Sequence, residues 1–79
     1  MFRIFLVEDD PAISGVLERQ LTAWNYQVGL VYDFQDVLGD FRTFQPHLVL
    51  LDISLPYRNG YHWCEEIRKI SKVPILFLS

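Results

Sequence analysis

Residues 48–60 read LVLLDISLPYRNG, and this stretch decides the fold class. Its first four residues are all apolar, without the alternation that a strand with one solvent-facing side shows. Strands that are apolar on both sides are typical of parallel sheets, because helices cover both faces of such sheets. The run ends at Asp52, after which Pro56 and the pair Asn59-Gly60 mark a loop. The stretch therefore predicts a buried parallel strand that ends in an acid.

Apolar runs of strand length alternate with amphipathic stretches of helix length along the rest of the chain. Strands are predicted at residues 2–7, 27–32, 47–51 and 73–78. A first helix should begin with Asp10 as its N-cap and Pro11 as its first residue. The apolar face of that helix comprises Ile13, Val16, Leu17, Leu21 and Trp24.

Two more helices are predicted between the later strands. We expect Asp33 to cap the second helix, with Asp36 in its first turn. Its apolar face comprises Phe34, Val37, Leu38 and Phe41. The third helix has an apolar face of Trp63, Cys64, Ile67 and Ile70, and Glu65 and Lys69 form an i,i+4 pair on its exposed side. Both tryptophans and all six phenylalanines are expected in the core.

The order of elements, βαβαβαβ, predicts an α/β fold with a doubly wound parallel sheet in three layers. Strands joined through single helices run parallel, and their crossovers are right-handed. The expected strand order is 2-1-3-4, because the chain leaves strand 1 in one direction and returns past it to strand 3. This reversal creates a switch point between strands 1 and 3, where open α/β sheets bind ligands.

Length and composition restrict the classes of protein that remain. The chain has 79 residues, is 51% hydrophobic and carries a net charge of −3, so we expect one folded domain. No apolar run approaches the roughly 18 residues of a membrane-spanning helix. The single cysteine, Cys64, permits no internal disulfide, and the N-terminus is no signal peptide. We therefore expect a cytoplasmic protein, and the acidic balance disfavours nucleic-acid binding by these residues.

Acidic residues follow the two strands that flank the predicted switch point. Glu8, Asp9 and Asp10 follow strand 1, and Asp52 follows strand 3. Carboxylates brought this close repel one another unless a cation is present, and Mg²⁺ prefers such oxygen ligands. A carboxylate beside Mg²⁺ can also act as a nucleophile towards phosphorus. No glycine-rich phosphate-binding loop occurs in the chain.

Three motifs together resemble the receiver domain of bacterial two-component response regulators. They are VEDD at 7–10, LLDISLPYRNG at 50–60, and Ser79 after the fourth strand. The resemblance covers all 79 residues and implies a flavodoxin-like receiver fold without its fifth strand and last two helices. Two longer stretches, DISLPYRNGYHWCEEIRK at 52–69 and VPILFLS at 73–79, are similar to those of regulators with a winged-helix DNA-binding domain. Within these, the chain resembles the cell-envelope-stress group that responds to bacitracin and cationic peptides.

The resemblance assigns a role to individual residues of this chain. Asp52 matches the phosphorylated aspartate. Asp9 matches the acid that binds Mg²⁺ directly, and Glu8 matches the acid that acts through a metal-bound water. The main-chain carbonyl of Ser54 matches the backbone metal ligand. Ser79 matches the residue whose hydroxyl bonds the phosphoryl group and moves inward on activation.

The resemblance also implies a function and partners. Asp52 would accept a phosphoryl group from a sensor histidine kinase, with Mg²⁺ as cofactor. DNA would be bound only through an output domain outside these residues, and no membrane would be involved. Pro56 and Gly60 match the loop that shapes the site. The lysine and the aromatic switch residue of a fifth strand have no counterpart here.

Two other functions were weighed against this one. A phosphatase of the haloacid dehalogenase type also uses an aspartate nucleophile with Mg²⁺, but it requires a D-x-D-x-[TV] motif after strand 1, which reads EDDPA here. A pseudo-receiver keeps the fold without phosphorylation and usually lacks one of the acids, all of which are present. We further expect strands 3 and 4 to be bare on the face of helix 1, which predicts self-association by dimerisation, strand exchange or aggregation.

Overall fold

Strands and helices alternate strictly in the computed structural model, which describes residues 1–78. The elements are β1 (Arg3–Val7), α1 (Pro11–Ala23), β2 (Gln27–Leu30), α2 (Val37–Phe44), β3 (Leu48–Asp52), α3 (Gly60–Arg68) and β4 (Ile75–Leu78). The predicted βαβαβαβ order is confirmed. Asp52 is the last residue of β3 rather than the first residue after it, and β2 ends two residues earlier than predicted.

The sheet has the predicted strand order, β2-β1-β3-β4, and every neighbouring pair is parallel. Val7 lies opposite Leu51 in the β1–β3 pair, and Asp52 lies opposite Leu78 in the β3–β4 pair. The carboxyl ends of β1 and β3 are therefore level. This register places the residues that follow β1 beside the last residue of β3.

The two faces of the sheet are covered by different helices, which gives three layers. One face packs against α2 and α3, and its central side chains Phe5, Val7, Val49 and Leu51 are buried in the main core. Ile4 and Leu6 alternate with these residues along β1 and therefore point to the other face, where α1 packs next to β2. Both are also buried.

The N-caps agree with the prediction for α1 and correct it for α2. Asp10 caps α1, and its carboxylate accepts a hydrogen bond from the Ala12 N–H at 2.9 Å. Asp36, not Asp33, caps α2 and accepts from the Gly39 N–H at 3.1 Å. The prediction placed the helix too early because it counted Phe34, which precedes α2, as part of the apolar face. Residues 33–36 instead form a turn, closed by a 3.0 Å bond from the Asp36 N–H to the Asp33 carbonyl.

The pair Asn59-Gly60, predicted to belong to the loop, forms the start of α3, and the ion pair of this helix is not the predicted one. Asn59 caps the helix by accepting from the His62 N–H at 3.0 Å. The ammonium of Lys69 lies 2.6 Å from the carboxylate of Glu66, so the pair is i,i+3 and the predicted partner, Glu65, is not used. Both spacings bring side chains together on a helix surface, and the sequence alone did not distinguish them.

The prediction that every large aromatic residue lies in the core is wrong for three of them. Phe5, Phe41 and Trp63 are buried. Trp24 is 62% exposed because it is the C-cap of α1 and lies beyond the face that packs on the sheet. Phe2 precedes β1, where it stacks on His47, and Phe77 lies on the edge strand β4; both are more than two-fifths exposed.

The face of the sheet that carries α1 is only partly covered in residues 1–78. No residue of α1 is buried, and Ile13 and Val16 are about half exposed. On the same face, Leu48 and Leu50 are half-buried and Leu76 is 56% exposed. The helices that the structure describes are all too short or too polar to cross a membrane.

Gly60 occupies a position where the backbone leaves no space for a side chain. Its N–H donates a 2.8 Å hydrogen bond to the carbonyl of Ile53, which closes the loop between β3 and α3. A Cβ atom at Gly60 would collide with the backbone carbonyl of Asp52. The first residue of α3 is therefore packed directly against the end of β3.

We predict that Gly60→Ala destabilises the protein by about 1–3 kcal/mol, because the backbone of Asp52 must move to admit the methyl group. Gly15→Ala is the matched control, since a Cβ there meets only the flexible end of Arg19 at 3.4 Å. That helix-interior change should stabilise by up to about 1 kcal/mol. Urea unfolding at one protein concentration measures both, and equal midpoints for the two variants would contradict the prediction.

Candidate functional site

The predicted site residues Glu8, Asp9 and Asp52 lie together at the carboxyl edge of the sheet. One carboxylate oxygen of each residue lies within 4.8 Å of those of the other two. Glu8 and Asp52 are half-buried, whereas Asp9 is exposed. Because β1 and β3 are parallel neighbours in the register given above, residues 44 positions apart in the chain meet here.

Hydrogen bonds from backbone N–H groups orient two of the three carboxylates. Glu8 accepts a bond from the N–H of Asp10 at 3.1 Å. Asp52 accepts one from the N–H of Ser54 at 3.3 Å. Ser54 therefore lies beside the acidic cluster, and the contact that the structure shows is made by its N–H. The metal-binding role of its carbonyl oxygen stays a prediction.

The environment of Glu8 disfavours its charged form. Burial raises the pKa of the Glu8 carboxyl above its ordinary value, and the hydrogen bond from the Asp10 N–H offsets part of this rise. The charge of Asp52, and hydrogen bonds to Asp52 and Asp9, raise the pKa further. A cation between the carboxylates would reverse this effect, because it stabilises the charged form of each of them.

The donor set suits a hard divalent cation. Mg²⁺ takes oxygen ligands at about 2.0–2.1 Å in octahedral geometry, so opposite ligands lie about 4.2 Å apart. Carboxylate oxygens within 4.8 Å of one another fit this spacing after a small adjustment, or through one bound water. The cluster contains no nitrogen or sulfur ligand, which favours Mg²⁺ over softer transition metals.

Two other predicted residues have different outcomes. Asp10 lies outside the cluster of Glu8, Asp9 and Asp52, and its carboxylate caps α1, which agrees with its interpretation as a helix cap. Ser79 lies outside the residues that the structure describes. Its predicted role at the phosphoryl group stays a prediction.

Tyr57, in the loop between β3 and α3, has a backbone conformation that the sequence does not predict. Its backbone is left-handed, with φ of 68°, and its side chain is 71% exposed. Left-handed backbone is uncommon for a bulky residue and costs energy. A glycine or asparagine would have signalled such a turn, whereas tyrosine gives no signal of it.

Comparison with known proteins gives the family. A sequence model of the response regulator receiver domain matches residues 4–79. The chain belongs to this family. Its receiver domains are signalling modules of two-component systems, and their acidic site binds Mg²⁺.

Several regulators are similar to this receiver over its full length. It is 44% identical over 79 residues to the sensory transduction protein BceR of Halalkalibacterium halodurans. It is 43% identical over 77 residues to the response regulator protein GraR of Staphylococcus aureus. The match to BceR covers 100% of this chain and the match to GraR covers 98% of it, but each match covers only 34% of the relative. The chain therefore spans about a third of the length of these curated relatives.

Solved structures confirm the receiver fold. The N-terminal domain of the nisin resistance regulator NsrR, a lantibiotic response regulator, superimposes with a TM-score of 0.93 at 44% identity, over 100% of this chain and 67% of that one. TrrA of Thermotoga maritima, solved with the histidine kinase ThkA, gives a TM-score of 0.87 at 32% identity, over 100% and 69%. The resemblance to regulators of antimicrobial-peptide stress is thus confirmed.

We predict that Glu8→Gln stabilises the protein near neutral pH when no divalent cation is added. A carboxyl whose pKa is raised on folding contributes most to stability at low pH, and that contribution is lost as the pH rises through the raised pKa. The gain should be no more than about 1 kcal/mol, because solvent screens a partly exposed group.

Urea midpoints of Glu8→Gln and the wild type, compared at acid and at neutral pH, test this prediction. The difference between the two proteins should grow with pH. The matched control is Glu65→Gln, at an exposed position on α3, which should show little change of this kind. A difference that shrinks as the pH rises would refute the prediction.

Proposed function

We propose that this receiver is a phosphorylation-dependent switch in which Asp52 accepts a phosphoryl group. The observation that supports the proposal is the meeting of the Asp52 carboxylate with those of Glu8 and Asp9. Asp52 is half-buried at the end of β3, and the N–H of Ser54 holds one of its oxygens. No backbone N–H of residues 1–78 donates to the other oxygen, which can act as the nucleophile.

In the proposed step, a carboxylate oxygen of Asp52 attacks the phosphorus of a phosphohistidine. A P–O bond forms as the P–N bond breaks, and the electron pair of that bond returns to the imidazole of the kinase. A bound Mg²⁺ would supply positive charge to the phosphoryl oxygens. Asp9 and Asp52 would bind the ion directly, Glu8 would act through a water, and the carbonyl of Ser54 would complete the protein ligands.

The remaining parts of the switch follow from membership of the family. We propose that a sensor histidine kinase donates the phosphoryl group, which the complex of TrrA with ThkA supports by similarity. The hydroxyl of Ser79 would bond the phosphoryl group and shift the population towards the active state. We propose that residues 1–79 belong to the receiver and that the protein is cytoplasmic. We also propose that DNA is bound only through a separate output domain, because BceR and GraR are longer regulators that this chain matches in part.

We also propose that the 79-residue polypeptide self-associates through β4. This strand is at an edge of the described sheet, and its sequence, ILFL, has no charge or bulge. Leu76 and Phe77, on opposite faces, are 56% and 41% exposed. Full burial of such a side chain contributes about 1.5–3 kcal/mol, and an open apolar edge pairs readily with a second strand.

We predict that Asp52→Asn abolishes acid-labile labelling by acetyl phosphate in the presence of Mg²⁺, and that a chelator abolishes it in the wild type. The matched control is Asp10→Asn, because asparagine caps a helix as well as aspartate does. This control should keep most of the label. Equal labelling of the wild type and Asp52→Asn would exclude Asp52 as the acceptor, whereas an unlabelled wild type would favour a receiver that acts without phosphorylation.

We predict that Leu76→Lys shifts the polypeptide towards the monomer at concentrations of tens of micromolar, as measured by sedimentation velocity. A lysine on an edge strand disfavours pairing with another chain. Tyr32→Lys is the control, since Tyr32 is 87% exposed and lies next to β2 at the other edge of the sheet. A wild type that is monomeric throughout this range would contradict the proposed self-association.

A further inference from the structure

A second concave site lies at the opposite end of the sheet from the acidic cluster. This basic groove has a volume of about 500 Å³ and is formed by the start of β1, the end of α2, the turn before β3 and the turn after α3. Its principal lining residues are Arg3, Phe41, Arg42, Gln45, His47 and Ile70. Neither the acidic cluster nor β4 contributes to it, so phosphorylation and edge pairing leave it open.

The charged side chains that line the groove are cationic. Two of its described lining residues are arginines and none is acidic, although the whole chain has a net charge of −3. The guanidinium of Arg3 is fixed by bonds from Nε and Nη2 to the carbonyl of Gln45, at 2.9 and 2.6 Å. Its Nη1 donors remain free for a ligand. Gln45 has left-handed backbone, with φ of 52°, and so holds its carbonyl in this position.

The side chains of Arg42 and His47 also have hydrogen-bond donors that residues 1–78 do not use. Arg42 is exposed in the last turn of α2 and makes no hydrogen bond or ion pair with any residue in 1–78. The Nδ1 atom of His47 accepts a 2.8 Å bond from the N–H of Arg3, so the neutral ring carries its proton on Nε2. Each therefore keeps an N–H that can bind an anion.

The groove also has an apolar wall, which limits the kind of anion that fits. Phe41 is buried at its base, and Ile70, which lies just after α3, is 47% exposed. A free inorganic anion would leave this apolar surface wet. A volume of about 500 Å³ is within the usual range for sites that bind an organic group.

We propose that the basic groove binds a carboxylate joined to an apolar side chain, presented by a short acidic segment of a partner protein. The arginines bind the carboxylate, for which guanidinium donors have matching geometry. Phe41 and Ile70 contact the neighbouring apolar side chain. Nucleic acids and anionic membranes need a broad basic surface, whereas this chain is acidic overall and has two arginines at the groove.

Titration of the 79-residue chain with two matched peptides tests the proposal. The probe is acetyl-Ala-Leu-Asp-Glu-Leu-Ala-amide, and the control peptide has Asn and Gln in place of Asp and Glu. Calorimetry measures affinity, and NMR shifts of the Arg42 side chain and the Ile70 amide locate the binding. We expect the acidic peptide to bind with a Kd of no more than about 1 mM. The Kd of the amide peptide should be at least about tenfold higher.

Arg42→Gln should weaken the acidic peptide about tenfold, which is the effect of losing one charged hydrogen bond. Because the Arg42 side chain is exposed and makes no hydrogen bond or ion pair with residues 1–78, this variant should unfold at nearly the same urea concentration as the wild type. Arg19→Gln, the same change at an exposed position on α1, should leave binding unaltered. Equal losses in both variants, equal binding of the two peptides, or displacement of the peptide by inorganic phosphate at equal affinity would each overturn the proposal.

Discussion

The parallel pairing of β1 with β3 is the interaction on which the rest of the structure depends. It aligns Val7 with Leu51 at the centre of the core, where both side chains are fully buried. Glu8 follows Val7 and Asp52 follows Leu51, so the carboxylates of two segments far apart in sequence lie close together. A slip of one residue would exchange the two buried faces of a strand, bringing Ile4 and Leu6 into the places of Phe5 and Val7, so the packing of both faces fixes this register.

The loop after β3 fixes the position of Asp52 in the acidic cluster. Gly60 packs against the carbonyl of Asp52 and bonds to Ile53, so α3 begins where β3 ends. The turn between them holds the N–H of Ser54 on the Asp52 carboxylate and forces Tyr57 into left-handed backbone. Strain in one exposed residue is thus accepted in a loop that brings a backbone donor to a carboxylate.

Much of the fold was predictable from the sequence because the informative residues act locally or by periodicity. The unalternating run before Asp52 indicated a buried parallel strand, and Asp10-Pro11 marked the start of α1.

The errors arose where packing between elements, and not the local sequence, decides where a helix begins or which side chains are buried. Asp33 and Asp36 are both plausible caps, and only the turn over 33–36 selects the second. Trp24 continues the helical apolar pattern, yet it lies past the end of the packed face. The acidic cluster followed from topology, whereas the left-handed conformations of Tyr57 and Gln45 left no trace in residue type.

The acidic cluster is unfavourable for stability, and the core beneath it makes this tolerable. Glu8 and Asp52 are each one step beyond a fully buried side chain, so they cannot move apart without disturbing Val7 or Leu51. Burial raises the pKa of Glu8, and the charge of Asp52 adds to the rise, so repulsion between these carboxylates persists in the folded state. A site held in this way gains most from a cation or another positively charged group, because binding removes an existing repulsion as well as adding attraction. Substitutions that relieve the repulsion should in turn weaken cation binding, which is the usual conflict between stability and function at a charged site.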